Sequence, residues 1–215
     1  MKTYIVDSFT DKAFSGNPAG VCICEVPPDE KAMLNIAKEL GFSETAFLTA
    51  MPEPQSYSIR FFSPKMEIPL CGHATLASAK ILLSDHHSSS VTFTNINNQK
   101  IAAQLQDDGI VLEFPVYETV RAEAPEALLE ALGLTTVLGA VYNRETNVLL
   151  LEMEDADKLA DLAPDFPALV KSHDAIDGVL VTAQSNREEF DFHSRYFWPW
   201  SGTNEDPVTG VTHTF

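Results

Sequence analysis

Gly72-His73-Ala74-Thr75-Leu76-Ala77-Ser78-Ala79-Lys80-Ile81-Leu82-Leu83 is the stretch on which the fold turns. Wound at 3.6 residues per turn, its Ala74, Leu76, Ala77, Ala79, Ile81, Leu82 and Leu83 leave no wide polar face, and a helix apolar nearly all round is a buried one. Its surroundings are strand-like. Short runs rich in β-branched and aromatic residues stand at 4–6, 20–26, 44–49, 56–62, 90–96, 101–106 and, past the Asp108-Gly109 turn, at 110–114. A buried helix among so many strands predicts a sheet curled around it rather than alternating βαβ units, and so an α+β fold. An ordinary surface helix is expected over 29–40, where Met33, Ile36, Ala37 and Leu40 share a face between Pro28-Asp29 and the stop at Gly41.

After Pro115 the pattern starts again. Pro125 and Gly133 bracket a short helix, strand-like runs return at 137–142, 147–153, 178–182 and 190–197, and 155–173 reads as helical or turn-rich. One specific feature is written twice. Arg60-Phe61-Phe62-Ser63-Pro64 leads to Cys71-Gly72, and Arg195-Tyr196-Phe197-Trp198-Pro199 leads to Thr209-Gly210. This predicts an internal duplication, with a first domain over 1–117 and a second over 118–215, related by a pseudo-twofold axis.

Bulk properties narrow the function. With 14 Lys plus Arg against 31 Asp plus Glu in 215 residues, the formal charge of −17 repels a polyanion and argues against nucleic acid as partner. The acids are scattered, densest at Asp107-Asp108 and Glu188-Glu189, as on a solvated surface. Three cysteines make no disulfide framework, and Cys22 and Cys24 in a β-branched run read as reduced core residues. No metal is expected: Cys22-x-Cys24 lacks a second ligand cluster, and His86-His87 sits in a polar, Ser-rich turn. Neither a basic leader nor a long apolar stretch precedes the first strand, so a cytoplasmic protein with no membrane span is expected.

Two glycines that open buried helices would place unpaired backbone N–H groups where an anion can reach them, and a substrate carboxylate would suit. Gly72 and Gly210 would let a ligand close to the backbone, although each could equally be a tight turn entering a helix. His73 follows the first glycine and could exchange hydrogen bonds near neutral pH, or could be a satisfied core histidine. Asp206, four residues before the second glycine, would meet His73 if the halves are related as expected; alone it is a turn acid before Pro207. Glu44 opens an otherwise apolar strand. Partial burial would raise its pKa and suit it to removing and returning a proton; the competing reading is a surface acid at a strand end.

Motifs spread along the chain are similar to those of the PhzF-like group within the diaminopimelate-epimerase fold. They are Val6-Asp7-Ser8-Phe9-Thr10 with Gly16-Asn17-Pro18-Ala19, Ser43-Glu44-Thr45-Ala46-Phe47, Leu70-Cys71-Gly72-His73-Ala74-Thr75, and Glu205-Asp206-Pro207-Val208-Thr209-Gly210. The resemblance implies two similar domains, each a curled sheet around a central helix, with the site between them. It implies Glu44 as the catalytic acid/base, His73 and Asp206 in support, and substrate contacts at Asn17, Ser43, Gly72 and Gly210. It further implies isomerisation of a small carboxylic acid without metal or organic cofactor, in chains that pair as homodimers.

Two departures stand out. Val211 follows the second glycine where the family has a small residue, which would narrow the pocket or alter substrate choice. The sequence stops at Phe215, about one helical turn past Gly210, so the second central helix is expected to be cut short and its domain incomplete. A cofactor-independent epimerase or racemase of the same fold would need two thiols, and only Cys71 is present, Thr209 holding the other position. A non-catalytic relative that binds a small carboxylate is the remaining alternative.

Overall fold

The computed structural model describes residues 1–12, 14–84, 88–107, 109–114 and 116–214, without the side chains of Val211 and Thr212. The His86-His87 turn, Asp108 and the pocket-lining role of Val211 lie outside that description. The chain forms two compact units, Met1–Pro115 with Val208–Thr214, and Val116–Pro207.

The first unit contains β1 (Lys2–Ser8), β2 (Asn17–Cys24), α1 (Glu30–Leu40), β3 (Thr45–Ala50), β4 (Ser56–Phe62), β5 (Glu67–Ile68), α2 (Gly72–Leu83), β6 (Ser90–Thr94), β7 (Lys100–Gln106) and β8 (Gly109–Glu113). Its sheet runs β1-β2-β3-β4-β6-β7-β8, with β5 attached to β4. Helix α2 packs against β1 and β8, the two ends of that path, and against β2, β3, β6 and β7 between them. A sheet that touches one helix with both its ends is wrapped around it, as the apolar circumference of 72–83 predicts.

The composition of α2 explains how a sheet can come so close. Gly72, Ala74, Ala77, Ala79 and Ser78 are buried and small, while Lys80 alone is exposed. The two buried hydroxyls need no partner from the sheet: Thr75 Oγ1 donates to the Cys71 carbonyl at 2.6 Å and Ser78 Oγ to the Ala74 carbonyl at 2.7 Å. Helix α1 lies on the opposite face. Strand alternation sends Cys22, Cys24, Phe47 and Phe62 outward to meet its Met33 and Ala37, and Phe47 meets Phe62 edge-on at 5.7 Å, worth about 1 kcal/mol beyond the area buried. Asp29 caps α1 by accepting from Ala32 N–H at 2.7 Å, and Gly41 ends it at φ 72°, a left-handed geometry that suits glycine. All three cysteines are buried and none is in a disulfide, and burial pushes the Cys22 and Cys24 thiols above their usual pKa, as inert core residues require.

The second unit contains β9 (Thr119–Arg121), α3 (Glu126–Leu132), β10 (Gly139–Asn143), β11 (Val148–Met153), α4 (Ala156–Asp161), α5 (Phe166–Ser172), β12 (Gly178–Gln184), β13 (Phe192–Trp198) and β14 (Thr203–Asp206), its sheet running in the order β14-β13-β12-β11-β10-β9. Its core joins Leu128 and Leu132 of α3, Leu159 of α4 and Leu169 of α5 to Val179, Val181 and Phe197 of the sheet. Among the described residues of this unit no helix is surrounded by strands as α2 is.

The duplication shows in the pairing. From β1 to β5 successive neighbours pair antiparallel, parallel, antiparallel, antiparallel, and from β10 to β14 the same four pairings recur in the same order. Arg60 on β4 grips both carboxylate oxygens of Glu67 on β5, each at 2.6 Å, and Arg195 on β13 grips Glu205 on β14 at 2.7 and 2.8 Å. Each guanidinium also lies over the phenylalanine two residues on, Phe62 at 5.2 Å and Phe197 at 4.9 Å. Among the described residues no helix is long and apolar enough to cross a membrane.

Candidate active site

Glu44 is placed by the turn between α1 and β3. Gly20 on β2 donates its N–H to the Glu44 carbonyl at 3.2 Å, and a side chain at Gly20 would come within 2.8 Å of Leu40 Cδ1 and Thr45 Oγ1. The missing Cβ is what lets this turn lie flat against β2. The Glu44 side chain points inward and is only 3% exposed, facing α2.

His73 occupies the first turn of α2, its side chain 2% exposed. Nε2 lies 3.1 Å from Oε2 of Glu44, close without the alignment of a full hydrogen bond. Burial lowers the His73 pKa from 6.5 to about 4, so the ring is neutral at physiological pH. On its other side Nδ1 lies 3.4 Å from Sγ of Cys71. Ser8, at the end of β1, ties down the same turn by donating from Oγ to the His73 carbonyl at 2.8 Å.

The segment Val208–Thr214 returns to this neighbourhood. Asn17 Nδ2 donates to the Val208 carbonyl at 3.0 Å, and Ser43 Oγ reaches Asn17 Oδ1 at 3.5 Å. Gly210 comes close enough to α2 that a Cβ there would lie 3.4 Å from the Gly72 Cα. A short 3-10 turn, Val211–Thr214, follows, His213 donating its N–H to the Gly210 carbonyl at 3.2 Å.

Asn17, Ser43, Glu44, Gly72, His73 and Gly210 are thus all held in the first unit. Asp206 lies on β14 of the second, buried and opposite Tyr196 in the strand register. Two residues gained importance that spacing did not reveal. Cys71 is a core residue, as expected, but its thiol faces the histidine; Ser8 lies in a quoted motif without any feature marking its hydroxyl for the α2 backbone.

Side-chain ligand atoms of Glu44, Cys71 and His73 lie within 4.8 Å of one another, a donor set of the kind that suits zinc. The histidine is approached at both nitrogens, by the carboxylate at Nε2 and by the thiol at Nδ1.

The fold and motifs find matches among known proteins. A family model described as phenazine biosynthesis-like protein, PhzC-PhzF, matches residues 6–215. The chain is 38% identical to phenazine biosynthesis-like domain-containing protein 1 of Mus musculus, over 98% of this chain and 80% of that protein. It is 40% identical to a protein named "Uncharacterized isomerase" in Halalkalibacterium halodurans, over 98% of this chain and 78% of the relative. A solved PhzF-family structure from Enterococcus faecalis superposes with a TM-score of 0.81 at 38% identity, over 99% of this chain and 78% of that one. From the duplicated strand pairing, the wrapped helix and these matches, the chain belongs to the PhzC-PhzF, phenazine biosynthesis-like family.

Proposed function

We propose that this protein is a cofactor-independent isomerase that moves a proton between carbons of a small cyclic or conjugated carboxylic acid. The observation that carries the reading is the buried Glu44 carboxyl 3.1 Å from a neutral His73. In the first step the C–H bond of the substrate breaks, its proton passes to a carboxylate oxygen of Glu44, and the electron pair spreads into the conjugated acid. In the second, Glu44 returns the proton to a different carbon, so the enzyme ends as it began. One group serves both steps, which is why a single carboxyl suffices where a racemase would use two thiols.

His73, neutral and 3.1 Å from Glu44, does not draw its proton away. The first-turn N–H groups of α2, with Gly72 and Gly210 side by side and without side chains, suit a substrate carboxylate. Asn17 and Ser43 hold the Val208–Gly210 strand of backbone in place, and Asp206 supports the reaction by resemblance to the family motif. Three free cysteines are compatible with a cytoplasmic setting.

Incubation with conjugated cyclic carboxylic acids in deuterated water, followed by mass spectrometry, tests this. Deuterium is expected at carbon in the presence of the wild-type protein, and Glu44→Gln is expected to slow its incorporation by about 100-fold or more while keeping the native circular dichroism spectrum. Undiminished exchange by Glu44→Gln overturns the assignment.

A further inference from the structure

Cys71 and Glu44 approach different nitrogens of the one imidazole of His73. Sγ of Cys71 is 3.4 Å from Nδ1, Oε2 of Glu44 is 3.1 Å from Nε2, and all three residues are buried. Burial keeps the ring neutral, so it carries a single N–H, and the nitrogen that bears it decides what Glu44 meets. With the proton on Nε2, a donor stands 3.1 Å from Oε2. With the proton on Nδ1, a bare nitrogen faces the carboxylate, acceptor against acceptor.

The partner at the far nitrogen makes the choice. A thiol S–H can donate to a bare Nδ1, which favours the Nε2–H form; a methyl group there could do neither that nor anchor the ring. The backbone adds rigidity. Thr75 Oγ1 donates to the Cys71 carbonyl at 2.6 Å and Ser8 Oγ to the His73 carbonyl at 2.8 Å, fixing both residues where the thiol meets the ring.

We propose that Cys71 is a positioning residue: its thiol donates to Nδ1 of His73 and holds the imidazole as the Nε2–H tautomer, which sets a donor rather than an acceptor 3.1 Å from Oε2 of Glu44. A donor at that position suits Glu44 whether it is ionised or protonated. No proton leaves the thiol in this scheme. The consequence for turnover rests on the acid/base reading of Glu44, whereas the tautomer itself does not.

The test uses the full chain labelled with nitrogen-15 histidine, the His73 ring being assigned by comparison with His73→Asn. Two-bond proton–nitrogen spectra of the wild type and of Cys71→Ser are expected to show His73 protonated at Nε2. In Cys71→Ala the spectrum is expected to shift towards Nδ1–H, with kcat about tenfold lower, KM within about twofold, and both restored by serine. An Nδ1–H tautomer in the wild type, an unchanged spectrum in Cys71→Ala, or a Cys71→Ser variant as impaired as Cys71→Ala overturns the proposal. Should Cys71→Ala not fold, the wild-type and serine spectra alone still decide it. Full deuterium incorporation by Glu44→Gln would remove the functional reading and leave the tautomer result standing on its own.

Discussion

Arg195 holds Glu205 through two parallel hydrogen bonds of 2.7 and 2.8 Å, and the third nitrogen of the same guanidinium reaches the carbonyls of Leu159, Ala160 and Leu162. The strand pair β13–β14 is thereby tied to the end of α4. Arg60, its counterpart, holds Glu67 in the same way and has no such carbonyl set among the described residues.

The difference has a measurable size. Lysine keeps the charge at either position but cannot span both carboxylate oxygens, so Arg60→Lys is expected to cost about 1 kcal/mol and Arg195→Lys about 2–3 kcal/mol. Urea unfolding of the two variants, compared at equal slope, checks the order. Equal losses would mean that the carbonyl contacts contribute nothing.

Stability should depend on pH through His73. Its pKa is about 4 when folded and 6.5 ordinarily, so between these values the unfolded chain binds more protons than the folded one. The contribution is complete above pH 6.5 and is lost as the pH falls towards 4, by roughly 3 kcal/mol in all. Chemical denaturation at several pH values should therefore show a flatter profile over this interval for His73→Gln than for the wild type.

A methyl group at Gly20 is expected to disturb the site without touching any side chain proposed to act. It would press on Thr45, whose branched Cβ cannot swing aside freely, and on Leu40, with gaps of only 2.8 Å. Gly20→Ala should cost about 1–3 kcal/mol and slow the proposed isomerisation by shifting the Glu44 turn. Retained stability together with wild-type kinetics would show that the turn relaxes at no cost.

Asn17→Ala should free the Val208–Thr214 segment. The lost amide-to-carbonyl bond and the loosened Ser43 contact leave that stretch with fewer ties to β2. Hydrogen exchange of its amides is expected to accelerate by about tenfold, the equivalent of a hydrogen bond worth about 1 kcal/mol, while amides in α2 stay protected.

Much of the fold was legible in local chemistry. Residues 72–83 announced a wrapped helix because no polar face survives at helical spacing, and Arg60 and Arg195 announced the repeat because each stands at the same distance from an aromatic and a proline. Glu44 and His73 were singled out as separate candidates, and their approach to 3.1 Å depends on how tightly the sheet closes on α2, which no local pattern encodes. Cys71 carried the opposite difficulty. Its apolar neighbourhood read as core, and only the helical start at Gly72 turns the side chains of residues 71 and 73 towards each other. The seat of Val208–Thr214 was hidden for a simpler reason, resting on an amide and a carbonyl 191 residues apart.

That last contact also bears on the order of assembly. Because Val208–Thr214 packs with the first unit, the second unit is topologically an insertion between two pieces of the first. On the ribosome, the sheet around α2 can form early, yet it waits for the whole intervening stretch before Asn17 finds the Val208 carbonyl. Closing so long a loop is slow relative to local helix and hairpin formation. The Glu44–His73 pair is built first; Gly210 reaches its place beside Gly72 last.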